Sequence, residues 1–391
     1  MLTRQSTAQN HLSVKWAPAW DILASFHGYP RIVEALLDSN ADVNAQNQWF
    51  ASSLQIASLH GHLEIVQFLL ARDAEVNPKD LTFATGLQAA ASKGHEMIVD
   101  LLLDRGASVN ATGGGYATAL QAASAHGHLE IVILLLGNSA EVNAGSANFA
   151  SALQAASKNG HYHIVRLLLD HGANANAQSD NFPSPLQAAS SNGHHGVAQL
   201  LLNEGADANA RNENFPTALQ IASSNCHYHV VELLLDNGAR ADGYNGRFAT
   251  ALQLASAHGH DTIVDLLLIK GATVDTSNGQ FATALQIAST KGHYRTVQHL
   301  LARNPDVDAS GNGYATAIQE AAANGYKEIV QLLLEHGADV HAQKGDCATA
   351  LQLATLHGHL DVLRLLLEAN ASPDAYGGRL PPALHVASEA G

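Results

Sequence analysis

The feature that most constrains this chain is a period of 33 residues. A glycine recurs at positions 28, 61, 94, 127, 160, 193, 259, 292, 325, 358 and 391, and every interval is 33 residues or a multiple of 33. Cys226 stands where the missing glycine is expected, so twelve segments follow one another without an insertion or a deletion. Such self-similarity is typical of arrays in which each repeat packs on its neighbours. The 391 residues therefore predict one array and not two or three globular domains.

Each repeat predicts two short helices and a projecting turn. Thr118 is a predicted N-cap, and Gln121 three positions later can reach back to the Thr118 backbone N–H, which is a capping box. The same Ser/Thr-x-x-Gln pair occurs in register ten times. The first helix is predicted over residues 119–126 and ends where Gly127 can adopt the left-handed conformation. Helices this short are marginal alone, so their stability must come from stacking on neighbouring repeats.

These residues resemble the ankyrin-repeat family. The resemblance rests on the 33-residue period, the Thr-Ala-Leu-Gln-Ala-Ala start, the Gly-His turn, the Ile-Val-x-Leu-Leu-Leu second helix and the Gly-Ala-x-Val-Asn-Ala exit. It implies an all-α solenoid of stacked helix-turn-helix pairs with hairpin-like turns, curved and elongated, whose concave turn-tip surface binds a partner protein. The Leu-Gln variant is similar to arrays of filamentous fungi, which often form the C-terminal part of NACHT-type receptors.

The two ends of the chain depart from the repeat. Residues 1–16 match no repeat and predict a flexible N-terminal arm. Residues 17–391 predict a single continuous ankyrin-repeat array whose last repeat is incomplete. Trp16 and Trp20 are expected to cover the first helix pair as a cap.

Composition excludes several classes of protein. The net charge of −15 without a block of Lys or Arg argues against direct binding of nucleic acid. No apolar run is long enough for a membrane span. The two cysteines cannot form a disulfide framework, which favours a reducing compartment. We therefore expect an intracellular monomer, cytoplasmic or alternatively nuclear.

No sequence motif supports enzyme activity, and no cofactor is predicted. The chain lacks the glycine-rich nucleotide-binding loop and the Gly-x-Ser-x-Gly motif of hydrolases. The His-Gly-His pairs suggest a metal site, but their second histidine belongs to the repeat consensus, and zinc needs three or four converging ligands. Cys226 lies beside His227, yet adjacency in sequence is not the geometry of a nucleophile and its base. Both features are interpreted as structural.

The predicted function is binding of a partner protein by a constant frame with variable turn tips. A scaffold that stays constant while its loops vary is typical of a binding surface. The candidate partner-binding residues are tip residues and residues preceding the turn glycine: Trp49, His60, Lys79, Lys93, His126, Arg211, Tyr244, Arg247, His258, Lys291, Lys344, Tyr376 and Arg379. The alternatives are a nuclear transcription co-regulator acting through a partner, or a detached sensor arm of a NACHT-type receptor.

Two residues depart from the consensus inside the array. Glu320 falls where other repeats carry an apolar residue, and two interpretations are open: a charge presented in a recognition groove, or a partly exposed carboxylate near Lys327. Cys226 replaces a turn glycine, which predicts a backbone strain of about 1 kcal/mol.

Overall fold

The computed structural model describes residues 20–46, 51–78, 84–113, 118–145, 150–243, 247–276, 282–310, 315–343, 348–375 and 381–390. Within these ranges the chain forms 23 helices and no strand, together with isolated bridges in three turns. The chain divides into two compact units, residues 1–185 and residues 186–391, which we call the N-terminal part and the C-terminal part.

The N-terminal part contains ten complete helices, two from each repeat, within its described ranges. They are α1 (Trp20–His27), α2 (Pro30–Asp38), α3 (Ser53–His60), α4 (Leu63–Ala71), α5 (Gly86–Lys93), α6 (Glu96–Asp104), α7 (Ala119–His126), α8 (Leu129–Gly137), α9 (Ala152–Lys158) and α10 (Tyr162–Asp170).

The C-terminal part contains the remaining helices, the first of which begins at the boundary residue. They are α11 (Pro185–Ser191), α12 (His195–Asn203), α13 (Ala218–Ser224), α14 (Tyr228–Asp236), α15 (Ala251–His258), α16 (Asp261–Ile269), α17 (Ala284–Lys291), α18 (Tyr294–Leu301), α19 (Ala317–Ala323), α20 (Lys327–Glu335), α21 (Ala350–Leu356), α22 (Leu360–Glu368) and α23 (Ala383–Ala390).

Within each part the helices pack in two layers. The first helices of successive repeats contact one another in order, as α3, α5 and α7 do, and the second helices form a parallel series such as α4, α6 and α8. We call these the first layer and the second layer. The first layer buries alanine and serine beside leucines such as Leu120, whereas the second layer buries mainly branched side chains such as Val132 and Leu135. Each helix thereby buries the face that it could not cover alone.

Capping boxes begin the first helices. At Thr250 the side-chain Oγ1 accepts a hydrogen bond from the Gln253 backbone N–H (3.2 Å), while Gln253 Oε1 accepts one from the Thr250 backbone N–H (2.7 Å). The same pairing occurs at Ser52, Thr85, Ser151, Thr217, Thr283, Thr316 and Thr349.

The capping box predicted at Thr118 is half wrong. The Gln121 backbone N–H donates to Thr118 Oγ1 (3.2 Å), but Gln121 Oε1 has no hydrogen-bond partner among the described residues. Thr118 has a φ of −139°, whereas Thr250 has a φ of −62°. This rotation turns the Thr118 N–H away from the glutamine side chain.

A histidine joins most of the described repeats to the one before it. His161 Nε2 lies 3.2 Å from the Ala125 carbonyl oxygen, and the His161 ring covers Gly127, where a Cβ would come within 2.7 Å of it. We call this pair of contacts the clasp. The equivalent histidines, each bound to the carbonyl 36 residues earlier, are His62, His95, His128, His227, His260, His293 and His359. Tyr326 takes the same place over Gly292.

The turn residue of each clasp adopts a positive φ, as the sequence predicts. Gly127 has a φ of 84° and Cys226 has a φ of 62°. His227, which the sequence places beside Cys226, forms an ordinary clasp with the Ser191 carbonyl oxygen (3.1 Å). The interpretation of His227 as a repeat histidine is therefore confirmed.

Candidate interaction surface

Five of the candidate residues occupy one position of the repeat, the residue before the turn glycine at the end of a first-layer helix. We call these positions the rim. They are His60, Lys93 and His126 in the N-terminal part and His258 and Lys291 in the C-terminal part, and all five are exposed. The constant histidine of the clasp lies two positions later and is half-buried in most repeats. A varied and solvent-accessible row thus borders a nearly constant packing contact.

Backbone carbonyls orient the rim histidines. His126 Nδ1 lies 2.9 Å from the Ala122 carbonyl oxygen, and His258 Nδ1 lies 2.9 Å from the Leu254 carbonyl oxygen, in each case one helical turn earlier. The ring of His258 also stacks on the clasp ring of His260, with centroids 5.6 Å apart. These contacts fix the orientation of the rim rings relative to their helices.

Neighbouring cations and burial disfavour protonation of two histidines in the N-terminal part. Burial lowers the pKa of His60, and His62, Lys93 and His95 lower it further by charge repulsion. Burial is also the largest cause that lowers the pKa of His128, opposed by its hydrogen bond to the Ser92 carbonyl. Near neutral pH His60 and His128 are therefore mainly neutral, beside the charge of Lys93.

Tips that the structure describes in full lie at residues 178–181 and 211–214. Both are tight turns: Ser179 and Phe182 exchange backbone hydrogen bonds (3.1 and 3.3 Å), and the Phe215 N–H donates to the Asn212 carbonyl (3.2 Å). Arg211 is exposed on the second of these tips. The fold therefore presents tip side chains on short turns that are held by backbone hydrogen bonds.

Arg247 has a structural contact that the sequence did not predict. Its guanidinium Nη1 donates to the Glu213 carbonyl oxygen (3.3 Å) and to Asn214 Oδ1 (3.2 Å), so it bridges two successive tips. Its side chain is exposed, and part of its donor capacity is used within the chain. The remaining candidates, Trp49, Lys79, Tyr244, Lys344, Tyr376 and Arg379, lie outside the described residues.

A column of larger side chains follows the first layer of the C-terminal part. Ile221, Leu254, Ile287 and Leu353 occupy one position of successive repeats and are half-buried, and Glu320 stands at the same position with similar burial. The equivalent Ile56 of the N-terminal part is 8% exposed, and Ala89 and Ala122 replace larger residues there. The Glu320 carboxylate makes no ion pair with Lys327 or any other described residue, and its partial burial is compatible with both interpretations.

No three His, Cys, Asp or Glu side chains of the described ranges converge to hold a metal ion. Among the helices described, none is long and apolar enough to cross a membrane.

The fold and the surface together define an all-α repeat scaffold with a constant frame and varied edge residues. A family model described as ankyrin repeats (3 copies) matches residues 22–113, 54–146, 120–212, 186–278, 252–344 and 284–377. The chain belongs to the ankyrin-repeat family, and the all-α ankyrin solenoid predicted from its sequence is confirmed. Ankyrin repeats are generally modules for protein–protein interaction.

One solved structure shows the extent of the likeness. The chain is similar to the crystal structure of the human ASB11 ankyrin repeat domain, with a TM-score of 0.53 and 28% sequence identity. The match covers 57% of this chain and 100% of that one. No curated protein matches the sequence.

Proposed function

We propose that this chain is a non-enzymatic scaffold that binds a partner protein through the rim of its first layer and through the turn tips. The observation that carries the proposal is the difference between the rim position and the clasp position, which lie two residues apart. The clasp position holds histidine in nearly every repeat, whereas the rim position varies among histidine, lysine and asparagine. Packing can reuse one residue in every repeat, while recognition of an irregular partner surface requires variation.

The chemistry of the rim supports a protein partner. Imidazole and ammonium groups offer hydrogen-bond donors to carbonyl oxygens and carboxylates, and the half-buried Ile221, Leu254 and Ile287 offer apolar area beside them. A patch that combines apolar area with a polar border is the usual composition of a protein interface. The charge of −15 over the whole chain opposes binding of a phosphate backbone.

A pair of charge-reversal variants tests this placement. Lys291→Glu changes the rim, and Arg364→Glu makes the same change of charge on α22 in the second layer, where Arg364 is exposed. Proteins that the immobilised wild-type chain retains from an extract of its source cells are identified by mass spectrometry, and their recovery is compared on the two variants. We expect Lys291→Glu to reduce recovery of a defined partner and Arg364→Glu to retain it.

Circular dichroism of both variants is the control for folding. Equal recovery on the two variants would contradict the placement of the binding surface on the first layer. Loss on Arg364→Glu alone would move the surface to the second layer.

A further inference from the structure

A hollow of about 230 Å³ opens between α17 and α19 in the first layer of the C-terminal part. Its lining residues are Ala282, Gln286, Ile287, Thr290, Lys291, Ala315 and Glu320. Small-molecule sites in proteins usually enclose about 300–1,000 Å³, so this hollow is better matched to one inserted side chain.

The fold satisfies the uncharged polar groups of the hollow. Gln286 Oε1 accepts a hydrogen bond from the Thr283 backbone N–H (2.7 Å), and Thr290 Oγ1 donates to the Gln286 carbonyl oxygen (2.8 Å). By contrast, the Glu320 carboxylate and the Lys291 ammonium form no ion pair with any described residue. Glu320 is half-buried and lines the hollow together with the apolar Ile287, whereas Lys291 is exposed at the mouth. The hollow therefore holds one half-buried anion that forms no ion pair with the exposed Lys291 or with any other described residue.

Such an anion favours a cation from outside the chain. Apolar walls reduce the hydration of a carboxylate and strengthen its attraction to an opposite charge. A lysine or arginine side chain can lay its methylene stem on Ile287 and bring its charged head to Glu320. Lys291 lies in water at the mouth, where its charge is screened, and it can pair with an acidic residue adjacent to the inserted one.

We infer that this hollow binds a basic side chain of an extended segment of the partner protein, with apolar residues three positions to either side. The spacing follows from geometry. Packed helices lie about 8–10 Å apart, and an extended polyproline II segment rises about 3.1 Å per residue with three residues per turn, so every third side chain faces the same surface and meets a new repeat. Residues flanking the basic one then face Ile287 and Leu353 of the column. This inference rests on the proposed function and names the partner chemistry at one place on the same surface.

A library of random 12-residue peptides displayed on phage tests the inference. It is selected in parallel on the full-length wild-type chain and on Glu320→Lys, Glu320→Leu and Glu335→Lys. Glu335 is exposed at the end of α20 in the second layer, so Glu335→Lys is the matched control for the change of charge. Glu320→Leu restores the apolar residue of the next repeat, Leu353, which keeps the fold intact while removing the charge.

Wild type and Glu335→Lys are expected to enrich one lysine or arginine with apolar residues at a spacing of three. Glu320→Lys is expected to enrich Asp or Glu at that place instead. The best wild-type peptide, measured by fluorescence anisotropy, should bind Glu320→Leu roughly tenfold to a hundredfold more weakly, as loss of a charged hydrogen bond predicts.

Two outcomes overturn the inference. The first is an identical residue preference on wild type and Glu320→Lys, and the second is the absence of basic enrichment on wild type. Neither outcome decides the proposed function, because the comparison of Lys291→Glu with Arg364→Glu reports on that separately.

Discussion

Cys226 places a Cβ at a turn position that is glycine in the other repeats. It is exposed and adopts a φ of 62°, in the left-handed region that glycine occupies at the equivalent Gly259 (φ 69°). A residue with a Cβ pays about 1–2 kcal/mol for this conformation. A Cβ on Gly259 would also come within 2.7 Å of the His293 ring, so the clasp leaves little room for one.

We therefore expect Cys226→Gly to raise the free energy of unfolding by about 1 kcal/mol, measured by urea denaturation. Gly259→Ala is the reverse control and should lower it by at least as much. An unchanged midpoint for Cys226→Gly would mean that His260 and its neighbours have relaxed fully around the thiol.

Buried serine hydroxyls form a second repeated feature at the residue scale. Eight serines three positions before the turn residue are fully buried, and their Oγ atoms have no hydrogen-bond partner among the described residues: Ser25, Ser58, Ser124, Ser157, Ser190, Ser223, Ser256 and Ser289. Two other repeats carry Ala91 and Ala322 at this position, which shows that the packing accepts a methyl group.

Ser124→Ala is expected to stabilise the chain by about 1 kcal/mol, because an unpaired buried hydroxyl carries a desolvation penalty of about 1–3 kcal/mol. The control is Ser92→Ala, since the Ser92 hydroxyl donates to the Ala89 carbonyl oxygen (2.8 Å) and its loss should not stabilise. Thermal and urea unfolding of both variants measure the difference. Equal gains for the two would show that hydroxyl pairing is not the cause.

At the scale of elements, the clasp is the contact that fixes one helix pair on the preceding pair. His161 combines a hydrogen bond to Ala125 with ring packing over Gly127. His161→Ala removes both contacts and should destabilise by about 1–3 kcal/mol, since a net hydrogen bond contributes about 0.5–1.5 kcal/mol and the lost ring leaves a gap.

His161→Tyr separates the two contributions, because Tyr326 already fills this position over Gly292. It should cost less than His161→Ala in the same denaturation measurement. Equal losses for the two variants would assign the whole effect to the imidazole hydrogen bond.

Local signals predicted the elements well, and contacts between repeats account for what the sequence missed. The helix over residues 119–126 was predicted from its cap and its glycine, both of which act within a few residues. The glutamine of the cap has a second role that no local pattern shows: Gln154 Nε2 donates to the carbonyl oxygens of Ala177 (3.1 Å) and Pro183 (2.8 Å) in the next turn. Its only sequence signal is the constancy of that glutamine.

The candidate surface was predictable to a similar extent. Variation between repeats indicated that the rim residues Lys93 and Lys291 are exposed, because a position that does not pack against a neighbouring repeat can hold different residues. Both side chains are exposed in the structure. The hollow beside Glu320 depends on α17 and α19 meeting across 29 or more residues, so the sequence marked the unusual carboxylate but not the space next to it. Likewise the bridge from Arg247 to Asn214 depends on two tips separated by 33 residues.

At the scale of the whole molecule, the main helix–helix contacts among the described residues of each unit join helices of the same or adjacent repeats. In the C-terminal part, α16 contacts α14, α15 and α18, and α20 contacts α18, α19 and α22. Stability in such an array is close to a sum of repeat terms and nearest-neighbour terms. Damage to one repeat should therefore loosen its neighbours more than distant repeats of the same part.

Leu267→Ala tests this locality, because Leu267 lies in α16 with 0% of its side chain exposed. A buried leucine truncated to alanine costs about 2–5 kcal/mol. Hydrogen exchange followed by mass spectrometry should show faster exchange in α14 to α18 and little change in α22. Ile269→Ala in the same helix is the control, since Ile269 is 62% exposed and its truncation should change exchange little. Equal acceleration from α12 to α22 would instead mean that the C-terminal part unfolds as one cooperative unit, because its interfaces are then stronger than its individual repeats.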